Sequence, residues 1–200
     1  LNPSPSALDP RPSTLDPPPS TLDPPPSPPL APPPAMSHAD RRDKLRRVLK
    51  KNDLDALLVT NFINVTYLTG FTGDDSYFLV TPAGELLISD LRYGQQIEEE
   101  CPGLDAAIRG PGNAMPEFTA AALKKAGARR VGFEAMSMTV GLRDALAKAS
   151  PESDLQPTAG WVEELRATKD RDEIAATRSA CQLKRRAFDV IKAKNVPEMT

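Results

Sequence analysis

NFINVTYLTGFTGDDSYFLVTPAGELLISDLRY, residues 61–93, is the stretch whose reading decides the fold. It opens with a short aromatic and aliphatic segment, residues 62–71, broken at Gly70 and Gly73. Two β-type runs follow, SYFLVT and ELLIS, separated by Pro82-Ala83-Gly84. Runs of β-branched and aromatic residues joined by a turn of that length and composition form a hairpin. The stretch closes on SDLRY, polar and charged, where a strand gives way to a helix.

Outward from the hairpin the chain alternates strand and helix, the grammar of an α/β sheet. Upstream, SHADRRDKLRRVLKKN reads as a helix with Ser37 as N-cap and Asn52 as stop. Leu45, Val48 and Leu49 recur at helical spacing as its core face. Arg41, Arg42, Lys44, Arg46, Arg47, Lys50 and Lys51 are expected on its solvated faces. DALLVT, residues 55–60, is a short buried-type strand. Downstream of the hairpin come a helix over 92–101, a strand in LDAAIRG, and a Gly-rich loop at GPGN. A helix over MPEFTAAALKKAG follows, with Phe118, Ala121, Ala122 and Lys125 at helical steps, then a strand in RRVGFE. Ser137 is expected to cap the helix MTVGLRDALAKAS. SDLQPT is a weak last strand, and Pro157, which has no amide hydrogen to give, puts it at an edge. The result is an α/β fold: a mixed, twisted sheet of five or six strands over residues 55–158, with helices on both faces.

Beyond Trp161 the chain turns helical. WVEELRATK starts one helix and a long one continues it, with Ile174, Thr177, Cys181, Lys184, Phe188 and Ile191 in a stripe at steps of three and four. The strand–helix alternation has closed before it, so this stripe has little left to pack on and reads as the start of a further domain. Residues 1–36 are a different material: tandem heptads SALDPRP, STLDPPP, STLDPPP, in which proline blocks both helix and sheet. They read as a disordered tail, or as sequence upstream of a start at Met36. The PxxP spacings also allow an adaptor that docks on a proline-binding domain.

Composition narrows the function. Of 200 residues, 25 are Lys or Arg and 27 are Asp or Glu, so bulk charge favours neither nucleic acid nor membrane as a partner. Cys101 and Cys181 have no paired spacing and suggest a reducing compartment, hence the cytoplasm. No secretory signal is read at the N-terminus. The single histidine, His38, excludes a two-histidine zinc motif and reads as an exposed N-terminal residue. Glu163, Glu164, Asp170, Asp172 and Glu173 are expected on a solvated helix surface.

NVTYLTGFTG, the hairpin after it, SDLRY, and ELRATKDRDEIAATRSA at 164–180 together resemble the creatinase/aminopeptidase P/prolidase family of Xaa-Pro peptidases. The resemblance covers residues 40–196 and implies a ribonuclease-H-like N-terminal domain over 37–160. Residues 161–200 would then be a linker and the first helix of a pita-bread metallopeptidase domain, truncated before its metal ligands. In the family that domain holds two divalent metals (Mn, Co or Zn) with two aspartates, one histidine and two glutamates. A metal-bound hydroxide attacks the tertiary amide before proline. With no histidine after His38, this chain is expected to have no catalytic or metal-binding residues of its own and to be inactive alone. The resemblance implies that the N-terminal domain narrows the substrate cleft and dimerises, with proline-containing peptides as ligands. It places Asn64, Tyr67, Phe71, Arg92 and Tyr93 near that cleft, Arg92 for a substrate carboxylate and a tyrosine against a pyrrolidine ring. The competing reading is a non-catalytic binding or dimerisation module of the same fold.

Overall fold

The computed structural model describes residues 35–194. The Pro-rich repeats and the segment from Asn195 onward lie outside the described residues. Helix α1 (His38–Lys51) starts from the expected Ser37 cap. The Ser37 hydroxyl accepts from Asp40 N, and the Asp40 side chain accepts from Ser37 N, a reciprocal capping box. β1 (Ala56–Val59) follows, then α2 (Phe62–Thr69), capped by the Asn61 side chain and ended by Gly70 at φ 85°. The hairpin β2 (Tyr77–Val80) and β3 (Glu85–Asp90) is present as read, paired Val80 to Glu85 across the turn. A single 3-10 turn, Leu91–Tyr93, leads into α3 (Gly94–Glu100). Then come β4 (Ala106–Arg109), α4 (Met115–Lys125), β5 (Arg130–Glu134), α5 (Val140–Ala149), β6 (Asp154–Thr158), α6 (Trp161–Ala167) and α7 (Arg171–Lys194).

The six strands lie in the order β4-β3-β2-β1-β5-β6. Only β2 runs against its neighbours; the β3–β4, β1–β5 and β5–β6 pairs are parallel. The C-terminal ends of β1, β3, β4, β5 and β6 therefore share one edge of the sheet. Helices cover both faces, as expected. Leu57 and Val59 of β1 face one core with Leu45, Leu49, Leu68 and Val162, drawn from α1, α2 and α6, and with Phe71 of the loop after α2. Ala56 and Leu58 face the other, with Leu123 and Leu146 of α4 and α5. This alternation makes β1 buried along its whole length. Pro157 sits on the edge strand β6, where the sheet asks nothing of its nitrogen.

Four local expectations are corrected. The α5 cap is Thr139, whose hydroxyl accepts from Leu142 N, rather than Ser137. The buried face of α4 is Thr119, Ala120, Ala122 and Leu123, while Ala121 and Lys125 are exposed. Arg41 is not solvated: it is buried, and Arg42 and Arg46 both reach Glu85 at the hairpin turn. Asp170 is buried too, at 3% exposure, rather than on an open helix surface. No described helix is long and apolar enough to cross a membrane.

Candidate functional site

The five residues singled out in the sequence divide between two places. Phe71, Arg92 and Tyr93 meet where the 71–76 loop passes the end of β3. Asn64 and Tyr67 lie on α2 and face α6.

At the first place, Phe71 is fully buried and meets the Tyr93 ring edge-on, centroids 5.7 Å apart at 87°. Gly73 passes between them: a Cβ there would lie 2.3 Å from Phe71 Cζ and 2.8 Å from Tyr93 Cδ1. Only glycine lets the loop approach this closely. The Tyr93 hydroxyl donates to Asp74 Oδ1, and that bond pushes the phenol above its ordinary pKa. Asp90, at the end of β3, caps the 3-10 turn by accepting from Arg92 N. Its carboxylate also accepts from Arg92 Nε at 3.1 and 3.2 Å and from Arg92 Nη2 at 2.7 Å. Arg109, from the end of β4, reaches the same carboxylate at 3.3 Å. The Arg92 bonds, above all, hold Asp90 below the usual carboxylate range. Arg92 itself stays open, with its side chain 61% exposed and its guanidinium 5.1 Å from the Tyr93 ring centroid. Asp90, Leu91, Arg92, Arg109, Gly110 and Pro111 line a shallow recess here. Arg92 Nη2 also reaches Asp75 Oδ2 at 3.1 Å, so the two arginines here are matched by two carboxylates, Asp90 and Asp75.

The second place is internal. Asn64 is fully buried. Its Nδ2 donates to Glu134 Oε1 and to Glu163 Oε1, both at 2.6 Å, while its Oδ1 accepts from Arg166 Nη1 at 2.9 Å. Glu134 Oε2 accepts from the backbone of Thr60 and Asn61, each at 2.7 Å. Burial raises the Glu134 pKa, partly offset by these bonds. Tyr67 is also buried; its hydroxyl donates to Leu165 O at 3.1 Å, and burial raises its pKa. Each polar atom of Asn64 is thus already engaged within the domain, and its geometry ties α2 to β5 and α6.

Sequence reasoning missed Glu134 and the pair Arg41–Asp170. Glu134 ends a strand, and nothing local marks it as buried. For Asp170 a local signal did exist: Asp170-x-x-Glu173 is a capping box that announces a helix start.

The described residues do not fit a metal centre. No group of three or more His, Cys, Asp or Glu side chains converges among them. The single histidine, exposed as expected, lies with Nδ1 3.1 Å from Tyr67 O. The acidic side chains here are engaged by Asn64, Arg41 and backbone amides.

A family model described as the creatinase/prolidase N-terminal domain matches residues 41–168. The chain is 32% identical over 146 residues to the uncharacterized peptidase YqhT of Bacillus subtilis (strain 168), spanning 73% of this chain and 41% of that protein. The solved Xaa-Pro dipeptidase from Bacillus anthracis aligns with a TM-score of 0.74 at 26% identity, covering 80% of this chain and 44% of that one. The solved N-terminal domain of cytoplasmic peptidase PepQ from Mycobacterium tuberculosis H37Rv aligns with a TM-score of 0.58 at 36% identity, covering 62% of this chain and 97% of that one. The chain therefore spans less than half the length of the two Bacillus proteins, and the match runs through nearly all of the solved PepQ domain.

Proposed function

This chain belongs to the creatinase/prolidase N-terminal domain family, and from that premise we propose that it is the cleft-shaping and dimerising domain of an Xaa-Pro aminopeptidase- or prolidase-like metallopeptidase. The observation that carries the reading is the family match over residues 41–168. The matched relatives are peptidases, which favours this reading over a stand-alone binding module. In the proposed division, residues 1–36 form a tail, 37–160 the domain, and 161–200 the linker and first helix of the pita-bread metallopeptidase domain. The chemistry belongs to two divalent metals, Mn, Co or Zn, in that second domain. Because the described residues do not fit a metal centre, this domain contributes shape and binding.

Proline-containing peptides are the ligands, a second copy of the chain the partner, and the cytoplasm the location. Arg92 and Tyr93 are the residues that touch peptide. Arg92 is the exposed guanidinium beside the recess, paired with Asp90 and Asp75 and able to exchange the exposed Asp75 for a peptide carboxylate, and the Tyr93 ring next to it offers an apolar face. Phe71 backs the Tyr93 ring from the core. Asn64 and Tyr67 serve from inside, by holding α2 and α6 in place.

Titration of the isotope-labelled chain with Ala-Pro and with Ala-Ala, read by amide chemical shifts, tests the site. Ala-Pro should shift Arg92, Tyr93 and their neighbours more than Ala-Ala does, and Arg92→Ala should abolish the response. Equal responses to the two peptides, or shifts scattered away from residues 90–93, would sink the assignment.

A further inference from the structure

Arg41 is a buried guanidinium in the first turn of α1, only 8% exposed, and the proposed function makes no use of it. Its Nη1 donates to Tyr67 O at 3.1 Å, and its Cζ lies 4.2 Å over the Tyr67 ring centroid. Its Nη2 reaches Asp170 Oδ2 at 3.0 Å and Glu173 Oε1 at 3.3 Å. Asp170 does two jobs with two oxygens. Oδ2 takes Arg41 and the backbone of Met36, while Oδ1 accepts from Asp172 N and Glu173 N, and Asp170 N donates to Glu173 Oε2. The carboxylate that caps α7 is therefore the one gripped by α1.

What surrounds this contact gives it a purpose. α6 is fixed to the domain by the buried Val162, by Tyr67 through Leu165 O, and by the Asn64 bonds to Glu163 and Arg166. α7 is different: it has no buried residue along its 24 positions. Between the two lie residues 168–170, the one place where α7 can swing. At 1.5 Å per residue α7 is about 36 Å long, so a swing of about 10° moves its far end by about 6 Å.

We propose that Arg41, Tyr67, Asp170 and Glu173 form a clamp that closes the hinge at residues 168–170 and fixes the direction in which α7 leaves the domain. Arg41 is the positioning residue. Its planar fork can hold two acids and a carbonyl at once, which a lysine cannot. Whatever α7 carries is thereby set at a defined angle to the sheet.

The test is a spin-label distance in the full chain, in dilute solution, between the exposed Cys181 on α7 and a label at Glu152→Cys. A control pair within the domain, Glu98→Cys with Glu152→Cys in a Cys181→Ser background, reports on the domain alone. The parent should show one narrow distance for both pairs. Arg41→Met should replace the α7 distance by a broad distribution and leave the control pair narrow. Asp170→Asn provides a second route should Arg41→Met not fold. It keeps the Oδ1 cap on Asp172 and Glu173 and loses the Oδ2 acceptor for Arg41 and for Met36 N, so it should broaden the α7 distance with the helix content unchanged. An unchanged narrow α7 distance in a folded variant overturns the clamp. So does equal broadening of the control pair, which would make Arg41 an ordinary core residue.

Discussion

Asn64 shows how one buried amide can hold three elements. It sits between two carboxylates that would otherwise repel, Glu134 and Glu163, and turns its oxygen to Arg166. A buried polar group stays affordable only when its hydrogen bonds are all made. Glu134 is the pH-sensitive point of this arrangement, because burial raises its pKa. A carboxyl whose folded pKa lies above its unfolded one contributes stability that is complete below the unfolded value and is lost as pH rises through the folded value. Asp170 works in the opposite sense. Its bonds, led by the one involving Glu173, lower its pKa, so its contribution is present above the unfolded value and fades as pH falls through the folded one. Glu134→Gln should therefore remove the loss on the rising side and leave the acid-side loss in place, read as urea midpoints across pH. At neutral pH the same variant should be destabilised by about 1–3 kcal/mol, since one amide oxygen cannot serve Thr60, Asn61 and Asn64 together. An unchanged pH profile would mean that Glu134 does not titrate differently in the folded state.

At the scale of elements, what the sequence made legible was whatever repeats or is punctuated. The Ser37 cap, the Pro82–Gly84 turn and the edge position of Pro157 are local signals, and each is found where it was read. α2 was harder: eight residues with a β-branched and aromatic composition carry too short a period to separate helix from strand, and only the Asn61 cap and Gly70 stop define it. The basic face of α1 misled for a different reason. Arg41 and Asp170 are 129 positions apart, and no local pattern announces that two charges will be buried together. The candidate site divides the same way. SDLRY could be placed at a strand end from its own residues, whereas the roles of Asn64 and Tyr67 are set by α6, a hundred residues on. α7 supplies the prediction at this scale. Leu183, Phe188, Val190 and Ile191 are more than half exposed, and helices of this length are marginal in water without packing. Amide exchange at two concentrations should show residues 182–194, beyond the clamped first turns, either protected more at the higher one, by pairing of copies, or weakly protected at both. The sheet should be indifferent to concentration. Strong, concentration-independent protection of α7 in a strict monomer would contradict its open placement.

At the scale of the whole molecule, the described residues form a six-stranded mixed sheet whose C-terminal strand ends gather Asp90, Arg109 and Glu134 along one edge. Arg92 and Tyr93 stand just past that edge with an exposed guanidinium and a ring, while Asn64, Tyr67, Glu134 and Arg41 lock the helices behind it. The acids that could have met a metal are instead engaged by amides and arginines. Membership of the creatinase/prolidase N-terminal domain family joins this architecture to peptidases, and the proposed division of labour gives this domain the cleft and leaves the chemistry to metal ligands outside the described residues. Proline release from an Xaa-Pro peptide by the purified 200-residue chain, assayed with added manganese, cobalt or zinc, tests that division most directly. The account predicts no metal-dependent release above the peptide's background. Metal-dependent release that co-purifies with the chain and survives His38→Ala would contradict it, since the described residues would then be supplying a catalytic centre.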